Sequence, residues 1–440
     1  MARPELIDAA CAWGWDRPST ASAAAAEVVL KSAPERARTD FLTACLAGEV
    51  EVVRQRLDAD PGLARCKLPP RDWEPILYLS YCVLLGQPER APRLLEVARL
   101  LLERRADPNA HYAGADPATG VFPALYAAIA VSKSLPLVRL LLEAGANPND
   151  GQSMYHAAEQ WTNDALDLLV AHGASHQELS YCLKHKIDFN HEPGIRRFLE
   201  HGADPNLRHP AAGETALHWA IKRTNPKSVI EALLARGADP NARTTDGHTA
   251  YPAIVASTPL DLAERLGRVE ISLLLRRHGA ERALVSSMDD FLIACARGDE
   301  TAARKHLADE PDLMSRLSEY DRALLANVAQ QNNAPGVELM LALGFDPDAR
   351  GWGGMTALHW AACRGNRALV KAILARGVRP IDIGGAHPTP VHQALYCRWN
   401  ESGDYVGVLN ELVAGGVPLP AELGPTGDAA LDAAVTRLRR

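Results

Sequence analysis

The sequence predicts an all-α fold, a solenoid of stacked helical hairpins. The stretch 213–241 contains one complete hairpin. Its first helix follows Thr215, whose hydroxyl can cap free backbone N–H groups, and its second helix carries apolar residues at i, i+1, i+4 and i+5. Gly237 can adopt the left-handed conformation that ends a helix, and Asp-Pro-Asn then turns the chain outward. A single hairpin cannot bury both apolar faces, so it requires stacked neighbours.

Both ends of this hairpin recur along the chain. Its opening begins at Thr215, and related openings begin at Pro123, Ser153, Thr258, Thr356 and Thr389. Its closing turn at 237–241 has counterparts at 106–109, 145–149, 202–206 and 344–348. The unit resembles the ankyrin repeat, which has T-P-L-H-x-A on its first helix and a period of about 33 residues. The resemblance covers roughly residues 40 to 420 and implies an ankyrin-repeat solenoid of about eleven units.

The array is predicted to start twice and to form two blocks. The phrase that begins at Asp40 returns 250 residues later at Asp290. An atypical first unit inside the array favours a kink at the seam, near 288–290. The predicted divisions are a helical cap at 1–39, repeat blocks at 40–282 and 283–420, and a capping helix at 421–440. Helices are expected at Pro4–Trp13, Ser22–Lys31 and Ala429–Leu438, and insertions at 67–75, 86–92, 111–122, 251–257 and 399–405.

Composition narrows the classes of partner and compartment. The formal charge of −7 and the pI near 6.1 disfavour nucleic acid and an anionic membrane surface as partners. The sequence contains neither a signal-peptide pattern nor an apolar stretch long enough for a transmembrane helix. Eight cysteines show no C-x-x-C, so we predict neither a zinc site nor a disulfide framework. A monomer in the reducing cytoplasm is expected.

No catalytic, cofactor or metal residues are predicted. Fifteen histidines include no H-E-x-x-H pair. The resemblance implies that His156, His218, His359 and His392 bond backbone groups of the adjoining turn and tighten the stack. The chain has no G-x-S-x-G and no glycine-rich phosphate loop. No two carboxylates stand out as a buried pair able to shift each other's pKa.

The resemblance implies that a protein partner contacts the turn tips and the exposed end of each first helix. The candidate binding residues are Phe122, Trp161, Lys222, Arg223, Arg243, His248, Trp352, Met355, Arg364 and Tyr396. Trp, Tyr, Met and Arg are enriched in buried interface centres. Trp161 and Tyr396 could equally pack beneath an insertion. Trp219 and Trp360, beside the motif histidines, are assigned to packing.

The leading hypothesis is a non-enzymatic intracellular scaffold or adaptor that binds another protein through the concave face and turn tips. One alternative is an enzyme or small-molecule-binding protein with its site in the cleft between the two blocks. A second alternative is an effector or immunity protein that acts by protein binding. The shape of the cleft would distinguish the first alternative, because a ligand site requires a pocket with convergent polar side chains.

Overall fold

The computed structural model describes residues 3–14, 19–32, 34–116, 120–210, 212–245, 257–378, 382–384, 388–398, 402–420 and 423–439. The chain divides into two compact units, Met1–Asp204 and Pro205–Arg440. Each unit is built from helical hairpins whose first helices pack against one another. The divisions predicted at 39/40, 282/283 and 420/421 stay predictions.

In its described residues the first unit contains thirteen α-helices, two short 3-10 helices at Pro61–Ala64 and Val83–Gly86, and one β-hairpin. Its helices are α1 Arg3–Ala10, α2 Ala23–Ser32, α3 Arg36–Thr39, α4 Phe41–Ala47, α5 Val50–Ala59, α6 Pro75–Ser80, α7 Ala91–Glu103, α8 Ala124–Ala130, α9 Leu135–Glu143, α10 Ser153–Ala158, α11 Asp164–Ala171, α12 His176–Asp188 and α13 Glu192–Glu200. The antiparallel strands are β1 His111–Ala113 and β2 Val121–Pro123. The hairpins pair α4 with α5, α6 with α7, α8 with α9, α10 with α11 and α12 with α13.

The second unit is helical in its described residues. Its helices are α14 Ala216–Lys222, α15 Lys227–Ala235, α16 Pro259–Arg265, α17 Val269–Arg277, α18 Ser287–Arg297, α19 Glu300–Asp309, α20 Leu313–Arg316, α21 Glu319–Arg322, α22 Leu324–Gln330, α23 Ala334–Ala342, α24 Ala357–Cys363, α25 Arg367–Leu374, α26 Pro390–Cys397, α27 Tyr405–Ala414 and α28 Ala429–Leu438. The all-α solenoid predicted from the sequence is confirmed, and the short hairpin β1–β2 lies in the predicted insertion 111–122.

The motif threonines and histidines cap the N-termini of the first helices α14 and α24. The Thr215 backbone N–H donates to His218 Nδ1 at 3.3 Å, and His218 Nε2 lies 3.3 Å from the Ser257 carbonyl. His359 repeats both contacts with Thr356 and with the Pro388 carbonyl. Burial lowers the pKa of His218 to about 3, so its ring stays neutral. These two histidines therefore tie one hairpin to the turn of the next.

The asparagine that ends four of the closing turns joins neighbouring hairpins. Asn206 Nδ2 donates to the Gly237 carbonyl at 2.8 Å, and the Asp239 N–H donates to Asn206 Oδ1 at 2.7 Å. The same pair of bonds is made by Asn109, Asn149 and Asn241. The amide supplies both the donor and the acceptor of this bridge, whereas a carboxylate would supply only an acceptor.

Replacing Asn206 by aspartate is expected to lower the free energy of unfolding by about 1–2 kcal/mol. The substitution keeps the acceptor but puts a carboxylate oxygen against the Gly237 carbonyl. Asn410→Asp is the matched control, since Asn410 Oδ1 accepts from Arg437 and a carboxylate there should be neutral or slightly stabilising. Urea unfolding followed by circular dichroism measures both. Equal losses in the two variants would contradict the bridging role.

The first-unit insertions build an aromatic core under the N-terminal helices. Trp73 is 3% exposed, and its ring lies 5.1 Å from Trp13 and stacks on Tyr112 at 4.9 Å. Arg71 lies over the Trp13 ring at 4.0 Å and donates to the Cys11 carbonyl. The segment 67–75 and the hairpin β1–β2 thus attach the N-terminal segment to the repeats.

Two cysteines correct the prediction that no disulfide forms. Cys363 and Cys397 are joined, with their Cα atoms 5.1 Å apart. They end α24 and α26, first helices of consecutive hairpins. Their separation of 34 residues is about one repeat period, so stacking brings the same position of two repeats together. The other described cysteines are free, and all except Cys66 are buried.

Candidate protein-binding surfaces

The predicted binding residues fall into distinct groups in the structure. Three are exposed: Trp161, Arg243 and Tyr396. Three are partly buried: Arg223, Trp352 and Arg364. Three are buried: Phe122, Lys222 and Met355. His248 lies outside the described residues.

Phe122 and Met355 are core residues, which corrects their predicted placement at exposed tips. Phe122 is fully buried in β2, where its ring stacks on Tyr112 at 5.2 Å and contacts Tyr126 at 5.3 Å. The insertion folds back as a hairpin, so the alternation of the strand turns this ring inward. Met355 is 7% exposed. Neither side chain can contact a partner from these positions.

Lys222 is also buried, because its charge is paired within the protein. Its ammonium group bonds the carboxylate of Glu214, and the two side chains are 5% and 1% exposed. Burial lowers the pKa of Lys222, while Glu214 acts against that shift. A surface role for Lys222 is therefore corrected to a structural one.

Arg223 and Trp352 meet each other on the first-helix face of the second unit. The Arg223 guanidinium lies 3.7 Å from the centroid of the Trp352 ring and 5.2 Å from that of Trp219. The Trp352 ring in turn stacks on Trp360 at 5.8 Å. Two side chains that the sequence assigned separately to a partner thus form a cation–π pair.

Arg364 extends this cluster and links hairpins that are distant in sequence. Its Nε donates to the Gln330 carbonyl at 2.7 Å, and its Nη2 donates to Thr224 Oγ1 at 3.1 Å across 140 residues. We call Trp219, Arg223, Trp352, Trp360 and Arg364 the Trp–Arg clamp. Because these side chains contact one another, the clamp fixes the first-helix face of this unit.

The first unit carries a different, more exposed group of rings. The hairpin α12–α13 lacks the opening motif, and α12 runs for 13 residues, about twice the length of α10. Tyr181, His185 and Phe189 are spaced by four residues, so they share one side of this helix. Tyr155 of α10 stacks on His185 at 3.7 Å, and His185 contacts Phe189 at 5.2 Å. We call Tyr155, Tyr181, His185 and Phe189 the aromatic stripe.

An ionised carboxylate lies beside the stripe. Glu159 Oε2 is 2.8 Å from His156 Nδ1, and Glu159 Oε1 is 3.4 Å from His185 Nε2. Burial acts to raise the pKa of Glu159, but the two histidine contacts outweigh it and lower the pKa to about 2. Burial acts to lower the pKa of His185, but contacts with Asp188 and Glu159 raise it. His156 therefore bonds a carboxylate on its own helix, unlike the turn contact that the resemblance implied.

Trp161 extends the exposed surface toward the next hairpin. Its side chain is 65% exposed and touches the His191 ring at 5.1 Å. Lys186 is 2% exposed and donates to the carbonyl of Gln160, the residue before Trp161, at 2.6 Å. Burial lowers the pKa of Lys186 to about 8. Trp161 thus contacts His191 and leaves most of its side chain exposed, as a contact residue requires.

Charged side chains concentrate near the predicted seam inside the second unit. Asp261 and Glu264 of α16 are 1% and 2% exposed. Asp261 accepts the N–H groups of Ala283 and Leu284. Glu264 pairs with Arg276 and Arg297, and Arg282 lies near both carboxylates. Asp261 occupies the motif position of histidine, and its hydrogen bonds hold residues 283 and 284 against α16.

The described part of the chain offers neither a metal site nor a membrane-spanning helix. That part has no group of three or more His, Cys, Asp or Glu side chains arranged to hold a metal ion. None of its helices combines the length and the apolar character needed to span a bilayer.

The sequence reasoning missed the aromatic stripe and Glu159. A signal was present, since Tyr181, His185 and Phe189 recur at intervals of four residues. The repeat motif identifies which positions of a hairpin face outward. The hairpin α12–α13 lacks the opening motif, so its outward positions could not be assigned in this way.

Comparison with known families identifies repeats in both units. Residues 179–234 match a model described as ankyrin repeats in many copies. Residues 291–384 match a model described as ankyrin repeats in three copies. Together the matches include α12, much of the hairpin α14–α15 and the hairpins from α18 to α25.

Curated relatives show the same similarity over part of their length. The chain is 27% identical over 288 residues to E3 ubiquitin-protein ligase KEG of Arabidopsis thaliana, covering 59% of this chain and 16% of that protein. It is 31% identical over 181 residues to Protein glp-1 of Caenorhabditis elegans, covering 36% and 13%. It is 30% identical over 208 residues to Ankyrin repeat and SOCS box protein 16 of Mus musculus, covering 46% and 44%.

The chain thus spans less than half the length of each of these relatives. What they share with it is the repeat array, and such arrays support a role in protein–protein interaction. The motif threonines, the bridging asparagines and the stacked hairpins agree with the family matches. This chain is an ankyrin repeat protein.

Proposed function

We propose that this chain is a non-enzymatic scaffold or adaptor that binds another protein through the first-helix face of its first unit, the concave face of ankyrin arrays. The observation that carries the proposal is the aromatic stripe with Trp161 beside it. Trp161 is 65%, Tyr181 55% and Phe189 36% exposed. Large aromatic side chains on a supported surface are the usual centres of protein interfaces.

The contacts made by the neighbouring side chains favour binding over loose packing. Tyr155 and His185 stack, and Lys186 is fixed to Gln160. A preorganised surface loses less side-chain entropy when a partner docks. Exposed aromatic area without such a role would reduce solubility.

The charged groups near the seam support the non-enzymatic part of the proposal. Asp261 and Glu264 are each engaged by donors of the protein itself. A catalytic carboxylate requires access to a substrate, whereas these side chains are 1% and 2% exposed. The alternative of an active site at the seam therefore has less support than protein binding.

Quantitative affinity capture from the native cell tests the proposal. Replacing Trp161, Tyr181 and Phe189 together by alanine is expected to reduce captured partner at least about tenfold, since interface-centre aromatics contribute about 2 kcal/mol or more each. The triple variant must keep the circular dichroism spectrum and melting temperature of the wild type.

The matched control replaces three exposed apolar residues elsewhere, Val28, Val269 and Leu273, by alanine. This control should retain the partner. A partner captured equally by the wild type and by the folded triple variant would contradict the assignment of the surface. Loss in both variants would mean that binding does not depend on the stripe in particular.

A further inference from the structure

A cavity of about 750 Å³ opens beside the aromatic stripe in the first unit. Its walls include the rings of Trp13, Tyr126 and Tyr155 and the small side chains of Ala130 and Val131. Glu159 also lines it. Tyr155 belongs to both the stripe and the cavity, so a partner on the stripe would reach the opening.

One side chain that lines the cavity, Glu159, carries a negative charge. The Glu159 side chain is 35% exposed, and its histidine contacts keep it ionised. Of the described residues that line the cavity, none is Lys or Arg. Burial raises the pKa of Tyr155, and the charges of Glu159 and Asp188 raise it further, so the Tyr155 hydroxyl lies in the negative field of both. Part of this charge is offset by His156, which also lines the cavity, and by His185, which faces Glu159 from α12.

Apolar and aromatic walls beside one ionised carboxylate favour some classes of ligand over others. An anion would meet Glu159, and the described residues that line the cavity include no Lys or Arg to offset that charge. A hydrocarbon would cover an ionised carboxylate and remove it from water, which is costly. An alkylammonium group satisfies both features, because its methylenes pack on apolar walls while its charge meets ring faces and a carboxylate.

We propose that this cavity, the Glu159 pocket, takes an alkylammonium group, supplied by a lysine side chain of the bound protein. The methylene chain lies along Ala130, Val131 and Tyr126, and the ammonium group lies between Tyr155 and Glu159. The inference rests on the proposed function for the source of the lysine. The pocket's preference for a cation is independent of that function.

Saturation-transfer NMR with small probes tests the pocket directly. We expect n-butylammonium to bind, and 1-butanol and butyrate, which match its chain without the positive charge, to give little signal. The tripeptide acetyl-Gly-Lys-Gly-amide should bind, and its norleucine analogue should not. Binding of butylammonium without the lysine peptide would overturn a protein lysine as the source.

Two variants locate the probe. Glu159→Gln keeps the shape of the side chain and should weaken butylammonium binding by roughly tenfold. Ala130→Phe should block the cavity from the opposite wall. Glu51→Gln is the matched control, since Glu51 is a 75% exposed carboxylate on α5, and it should bind as the wild type does.

Undiminished binding to Glu159→Gln or Ala130→Phe, with melting temperatures unchanged, would overturn the pocket assignment. Equal binding of butanol and butylammonium would overturn its selectivity for a cation. Neither outcome bears on the proposed protein-binding surface, because the alanine variant at Trp161, Tyr181 and Phe189 leaves every residue that lines the pocket intact.

Discussion

Replacing Glu214 by alanine is expected to lower the free energy of unfolding of the second unit by about 3–5 kcal/mol. The carboxylate is 1% exposed and pairs with Lys222, whose side chain is 5% exposed. Removing one partner leaves a buried charge without compensation, and that costs more than the intact pair contributes. Urea unfolding followed by circular dichroism measures the loss.

A double variant distinguishes the effect of the two charges on stability from the effect of the volume that the two side chains occupy. Glu214→Leu with Lys222→Met removes both charges and keeps similar volume, so it should regain most of the lost stability. A control at an exposed pair, Glu300→Ala, should change stability by less than about 0.5 kcal/mol, because Glu300 and Arg304 are 60% and 58% exposed. If Glu214→Ala behaves like Glu300→Ala, Lys222 does not carry a buried charge.

The loss in Glu214→Ala should also depend on pH. Burial lowers the pKa of Lys222, so the unfolded chain binds this proton more tightly than the folded chain does. Stability then rises with pH up to the ordinary lysine value of about 10.4. Without Glu214 the folded-state pKa falls further, because its largest opposing charge is gone. The destabilisation should therefore shrink between about pH 7 and pH 10, whereas a loss independent of pH would indicate a packing defect.

Sequence reasoning was most accurate where local chemistry alone determines the structure. The helix predicted at Ala429–Leu438 has those bounds, and Gly237 has φ of 82° at the end of its hairpin. A glycine at a helix end and an N-capping side chain act within a few residues. The predicted helices at Pro4–Trp13 and Ser22–Lys31 are found as Arg3–Ala10 and Ala23–Ser32.

The candidate site was less predictable because it depends on how distant hairpins meet. Arg364 bonds Thr224 across 140 residues, and no repeat pattern specifies that distance. Lys222 looked like a surface cation because its partner Glu214 lies on the preceding turn, eight residues away. The burial of Lys222 depends on how that turn packs. Helical periodicity relates residues three or four apart, so it does not predict this contact.

The region near the predicted seam at 288–290 shows both what the sequence predicts and what it does not predict. The returning phrase at Asp290 correctly marks α18, which ends at Gly298 with φ of 70° as α4 ends at Gly48 with φ of 74°. The sequence does not show that α18 packs against α23. That packing brings the turn between α16 and α17 and the side chain of Asn333 close to the Ala296 carbonyl of α18.

Gly267→Ala is expected to lower the free energy of unfolding by about 3 kcal/mol or more. Gly267 connects α16 to α17 with φ of 68°, where an alanine costs about 1 kcal/mol in backbone energy. A Cβ there would also lie 2.3 Å from the Ala296 carbonyl oxygen and 2.3 Å from Asn333 Nδ2. The oxygen belongs to the backbone of α18 and cannot rotate away, and Asn333 already bonds it at 2.6 Å.

Gly237→Ala is the matched control for this substitution. Gly237 also has a positive φ, 82°, but a Cβ there would meet no atom within 4 Å. It should therefore lose only the backbone contribution, about 1 kcal/mol. The difference between the two variants in urea unfolding measures the close approach at the seam. Equal losses would mean that α16–α17 does not approach the Ala296 carbonyl, and the convergence of elements at the seam would then be wrong.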